Sequence, residues 1–138
     1  MPNYASGDPL MEFPRSIAMI ICDEVIDDKR TRKKSLIGMF DRIMAASFPA
    51  RHPKLHIFFS LTNGRGKYKA VLQQIFLLDL KVLQEIQGEL EFSSPNDVLE
   101  YDFELLNISF PFEGKYSFQL LLDGKVAGER IFEVVKKK

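Results

Sequence analysis

The 138-residue chain has a single cysteine, Cys22, no tryptophan and only two histidines, His52 and His56. One thiol cannot form an internal disulfide framework, so a hydrophobic core has to hold the fold. A chain of this length buries enough apolar surface to do so. A lone reduced cysteine also fits a reducing compartment. No apolar run approaches the ~20 residues of a membrane-spanning helix. The early greasy run Ile17–Cys22 is followed by Asp23 and Glu24, not by a small-residue cleavage site, so it does not read as a secretory signal. Together these absences predict a cytoplasmic protein without a membrane span. One domain is the default at this size. Net charge is absent too, at zero, although the charges themselves are far from evenly mixed.

What is present reads as strands and turns. The clearest stretch is Glu113–Val126. Asp123-Gly124 sits between two apolar segments, and a two-residue primed turn needs the positive φ that Asp tolerates and Gly adopts freely. Before it, Tyr116, Phe118, Leu120 and Leu122 share one face, with Ser117, Gln119 and Leu121 on the other. Phe132 and Val134 alternate with Glu133 on the return strand. Gly-x-Tyr-x-Phe after an acidic turn also has the form of a tyrosine corner, with the Tyr116 hydroxyl bonding backbone and Phe118 standing where antibody domains place a cysteine. Tyr116, phased with the core, is read as structural.

Taken in order, residues 1–14 contain Pro2, Gly7, Pro9 and Pro14 and are expected to form an irregular N-terminal arm. Residues 15–138 are expected to form one β-sandwich domain. Ser16–Ile26 is a strand covered on both faces, and Asp27–Lys34 a polar connection. Ser35–Ile43 is the next strand, with Gly38 a bulge or a point of close packing. Phe48–Pro53 is a proline-bounded turn, and Leu55–Leu61 a strand closed by Asn63-Gly64-Arg65-Gly66. Residues 67–78 fit either a helix or a strand; the strand reading places Leu72, Phe76, Leu78 and Leu80 inward. Ile86, Gly88, Leu90 and Phe92 alternate with acids, as do Leu99, Tyr101, Phe103 and Leu105. The phase then flips, with Leu106, Ile108 and Phe110 as the apolar set, which suggests a bulge or a strand crossing between sheets. Seven to eight strands result, with no convincing helix. The predicted fold is an all-β, two-layer antiparallel β-sandwich, immunoglobulin-like.

Charge is segregated along the chain. Residues 29–69 carry eleven bases and one acid, Asp41, for a net +10; residues 70–113 carry nine acids and one base, Lys81, for a net −8. Glu85, Glu89 and Glu91 and the row Glu100, Asp102 and Glu104 read as outward faces. If those two strands pair, like charges oppose one another, and something basic has to offset them: the chain's own basic block, another copy or a basic partner.

Candidate chemistry is sparse. His52 and His56, with Asp41, suggest a metal or hydrolytic site, but Pro53 lies between the histidines and no third ligand is near in sequence. Asp23, Asp41 and the acidic strand pair invite paired-carboxylate chemistry, but the acidic rows read as solvated faces. Cys22 is followed by acids that raise a thiol's pKa, so an inert core thiol is preferred to a nucleophile. Gly64-Arg65-Gly66-Lys67 lacks the glycine spacing and the Lys-Ser/Thr ending of a phosphate loop. Lys29–Lys34 is a basic run without interleaved aromatics, so nucleic-acid binding is the weaker reading.

Four segments carry a resemblance: Cys22-Asp23-Glu24-Val25, Lys34–Ile43, Phe48–Pro53 and Gly114-Lys115-Tyr116-Ser117-Phe118. With them the chain after the arm resembles a family of short bacterial proteins of unknown function. The resemblance implies a small β-sandwich without an established activity, and no catalytic, cofactor or metal residues come with it. The expectation is therefore a non-enzymatic binding or structural module, with no cofactor, that associates with itself or a charged protein partner. A small metal-binding or hydrolytic enzyme, or a weak nucleic-acid binder through residues 29–34, is the alternative.

Overall fold

The structure, a computed structural model, describes residues 13–138. The expected arm at 1–14 lies outside these, apart from Phe13 and Pro14. Nine strands follow: β1 (Arg15–Asp27), β2 (Lys34–Met39), β3 (Arg42–Ala45), β4 (Ala50–Thr62), β5 (Gly66–Phe76), β6 (Lys81–Phe92), β7 (Leu99–Phe110), β8 (Gly114–Leu122) and β9 (Lys125–Lys136). They form a four-stranded sheet, β2-β1-β4-β7, and a five-stranded sheet, β3-β9-β8-β5-β6.

The β8–β9 hairpin behaves as its sequence dictates. Asp123 and Gly124 take φ of 49° and 83°, the left-handed values a primed turn requires. Tyr116, Phe118, Leu120 and Leu122 are buried, as are Phe132 and Val134. Phe118 stacks on Phe132, with centroids 4.9 Å apart and an interplanar angle of 11°. From the other sheet, Phe110 meets Tyr116 edge-on at 5.2 Å. The Tyr116 hydroxyl donates to the Phe112 carbonyl at 2.6 Å and accepts from the Phe112 N–H at 3.1 Å, which is the expected tyrosine corner. Burial raises this phenol's pKa. Leu55, Ile57, Phe59 and Leu61 of β4 complete the core from the opposite sheet.

The sandwich has more strands than the seven to eight expected, because Ser35–Ile43 is not one strand. It divides into β2 and β3, which belong to different sheets. Gly38 is the pivot. Its φ is 71°, and a Cβ there would lie 2.3 Å from Asp23 Oδ2, so only glycine fits both the backbone and the space. The Phe40 N–H then bonds the Ile21 carbonyl at 3.0 Å as the chain changes sheet. β3 runs parallel to β9, so the second sheet is mixed and not purely antiparallel.

Residues 66–76 do form a strand, β5, with Leu72 and Phe76 inward. Leu78 and Leu80 are not inward. They fall in the β5–β6 turn and are 87% and 71% exposed, because that turn ends the alternation. Pro53 lies inside β4 rather than in a turn. It is tolerated there because β1 pairs with β4 only from His56 onward, so its missing N–H costs no ladder bond on that side. β1 is covered on both faces only in its middle; Ile17 and Ile26 are 59% and 46% exposed.

The phase flip in β7 is neither an offset bulge nor a crossing. β7 stays beside β4, with His52↔Ile108 and Lys54↔Leu106 in unbroken register. β4 flips on the same rung, burying Ala50 and then Leu55, so the faces remain matched. Asn107 absorbs the irregularity at φ 54°, and Leu106, assigned above to the apolar set, is 64% exposed.

Candidate functional site

The most organised surface is charged. On the outer face of the first sheet, Lys54 of β4 reaches back to Glu24 of β1, Nζ to Oε2 3.0 Å. That contact lowers the Glu24 pKa and raises that of Lys54, through the side-chain hydrogen bond first and the charge second. His56 of β4 faces the other way, toward β7, with Nδ1 2.7 Å from Asp102 Oδ2 and Nε2 3.5 Å from Glu104 Oε2. Across β1, β4 and β7 the charges therefore run acid, base, acid. In the second sheet, Lys67 and Lys69 of β5 pair in register with Glu91 and Glu89 of β6, and Lys67 Nζ lies 3.9 Å from Glu89 Oε1. Gln73 Nε2 donates to Glu85 Oε2.

The two acidic rows do not oppose one another. β6 and β7 belong to different sheets and form the open edge of each. The β6 row is laid against Lys67 and Lys69 of β5, and Glu104 of the β7 row against His56 of β4, because those are the strands the topology makes their neighbours. Segregation along the chain has thus become alternation across the sheets.

The sequence candidates are not brought together. His56 is 6% exposed on the outer face. His52 stands before the phase flip and lies beside Phe40, ring centroids 5.8 Å apart, in the seam between the sheets. Asp41 lies in the β2–β3 link, where its carbonyl accepts the Glu133 N–H at 2.9 Å. Among the described residues no three His, Cys, Asp or Glu side chains are grouped to hold a metal ion. Cys22 is opposite His56 in register, fully buried, with its thiol pKa raised by desolvation first. Both ring nitrogens of His56 face carboxylates of β7, whereas Cys22 lies on the β1 flank. A raised thiol pKa is the opposite of what nucleophilic activation requires. Asp102 and Glu104, read in sequence as solvated, are the residues whose role was missed; the alternation of Lys54 and His56 with Leu55 and Ile57 was legible, but not which strand lay beside them.

The seam holds an open groove of about 310 Å³, lined by Asp23, Gly38, Phe40, Arg42, Ile43 and His52. It continues into a second hollow of about 270 Å³ that shares Ile43, Met44 and His52. Arg42 is engaged by Glu133 at 3.1 Å. The basic run forms a tight turn: the Asp28 carboxylate accepts the Arg30 and Thr31 N–H groups at 2.9 and 3.2 Å, which lowers its pKa. Lys34 is held by Asp27 at 3.0 Å.

These features define a two-layer β-sandwich with a tyrosine corner and acidic edge strands. The chain matches the "Family of unknown function (DUF6941)" over residues 17–135, and belongs to that family. Among solved structures it is similar to an immunoglobulin-like protein from Pseudomonas aeruginosa, at 14% identity and a TM-score of 0.42, over 90% of this chain and 98% of that one. No curated protein matches. Among the described residues, no helix is long and apolar enough to cross a membrane.

Proposed function

We propose that this protein is a non-enzymatic binding module that engages a basic protein partner through its acidic side. One observation carries the reading. In both sheets the cross-strand charge pairs end on carboxylates at an open edge, with β7 bearing Glu100, Asp102 and Glu104 and β6 bearing Glu85, Glu89 and Glu91. Charges whose complement lies on one flank only are suited to steer and hold a complementary surface on the other. The buried free thiol of Cys22 supports a cytoplasmic location for the module.

The test is sedimentation of the full chain, alone and with polylysine, at low and high salt. Co-sedimentation at low salt that disappears at high salt is expected, because exposed charges are screened. Absence of binding at every salt concentration sinks the reading. A copy-to-copy version rests on the exposed basic turn at 29–33 meeting the acidic side; a monomer at all salt and protein concentrations eliminates it.

A further inference from the structure

We infer that the open edge of β7 is a strand-addition site, taking an extended segment of another protein with lysine or arginine at every second residue. The inference rests on the reading above, and adds where and how the partner binds.

β7 is paired on one side along nearly its whole length, from Leu61↔Leu99 to Ala50↔Phe110 on β4. On its other side no strand lies among the described residues. An edge strand presents unpaired N–H and C=O groups at a spacing that an added strand completes. Side chains on its outer face then decide which strand is accepted.

Those side chains continue a series. Glu24 on β1, Lys54 on β4 and Glu104 on β7 alternate in sign across the sheet, with the His56 ring set against Asp102 and Glu104, so the next strand that complements them is basic. His56 shows that the series is incomplete. It is 6% exposed, and its Nε2 is buried without a hydrogen-bond partner, 3.5 Å from a Glu104 carboxylate that is half exposed. A cation beside Glu104 on an added strand would fix that carboxylate between itself and the imidazole edge. From the β4 side Lys54 feels the Glu104 charge, but its ammonium is hydrogen-bonded to Glu24 and leaves Glu104 unheld.

The same row bars a second copy. Pairing β7 with β7 of another molecule sets carboxylates against carboxylates across the ladder, which is unfavourable. The phase break at Asn107 limits the site to Leu99–Leu106. Leu106, exposed on the same face as Glu104, calls for an apolar neighbour. An antiparallel partner is therefore an apolar residue followed by three bases at alternate positions, opposite Leu106, Glu104, Asp102 and Glu100 in turn. β6 is the poorer edge, since Gln87 interrupts its acidic row.

The test titrates the full chain with the end-capped peptide Leu-Thr-Lys-Thr-Lys-Thr-Lys, read by fluorescence anisotropy, and with the same peptide N-methylated at alternate amides. Saturable binding that N-methylation abolishes is expected, with slowed amide exchange confined to 99–106. Glu100→Lys with Glu104→Lys should weaken it about tenfold or more, as expected for two reversed charge contacts, whereas the charge-matched pair Asp27→Lys with Glu133→Lys on the opposite flank should leave it unchanged. The peptide arm uses the unaltered protein, so it stands even if a charge-reversal variant fails to fold. Equal binding of the N-methylated peptide overturns strand addition while leaving the acidic binding module intact. No binding of either peptide or of polylysine overturns both.

Discussion

The two flanks of the sandwich, where one sheet stops and the other begins, are closed by different means. On the β2/β3 flank the edge strands are short, six and four residues, and the chain itself crosses from sheet to sheet between them. On the β6/β7 flank both edge strands are twelve residues long, and the sheets meet through side chains. Phe103 packs there over Gly88, where a Cβ would lie 3.6 Å from its ring. A long edge is a template for unwanted pairing, and proteins blunt it with shortness, with covering chain or with charge. This protein uses the first two on one flank and the third on the other. A flank protected only by charge excludes like-charged strands and remains open to opposite ones.

The comparison can be broken most sharply at the packed flank. Phe103→Ala removes the ring that joins β7 to β6, and should cost about 3–5 kcal/mol, the usual range for a buried phenylalanine; urea denaturation measures it. A loss below about 1 kcal/mol would mean that side-chain packing does not close this flank. A smaller effect is expected at the crossing flank. Gly38→Ala forces a left-handed residue and a contact with Asp23, for about 1–2 kcal/mol. Adding Asp23→Ala should relieve the contact and leave the backbone strain; full recovery would show that φ at Gly38 is unimportant. Smallest in stability is the edge charge itself. Glu100→Thr with Glu104→Thr should change stability by under about 0.5 kcal/mol, yet promote self-association at low salt, visible by light scattering. A protein that stays monomeric would remove the protective role from those carboxylates.

How far the sequence could be read differs from element to element. The β8–β9 hairpin was legible to the residue, because its turn chemistry and period-2 pattern are local. The tyrosine corner was legible for the same reason, since Tyr116 and Phe112 are four residues apart. Ser35–Ile43 was misjudged as one strand because the bonds that take Phe40 to Ile21 of one sheet and Asp41 to Glu133 of the other join residues far apart in the chain. Leu78 and Leu80 were misplaced because an apolar residue carries no mark of where its strand stops. At the candidate site, the acids of β6 and β7 were read as outward-facing, but the residues beside them were not identified. His56 was read toward His52, four residues away, whereas its ring contacts residues 46 and 48 positions further on, on β7.

By itself, then, the sequence determined what depends on neighbours along the chain: the all-β class, the register of the last hairpin, the buried aromatic face and the sign of each charged block. Only the tertiary structure decided what depends on neighbours across the sheets. Strand order laid β4 beside β7 and β5 beside β6, put β6 and β7 at open edges rather than against each other, and buried His56 beside Asp102 and Glu104. Alternation fixes which face a side chain takes, but the choice of adjacent strand is made by packing of the whole core, which no single segment encodes.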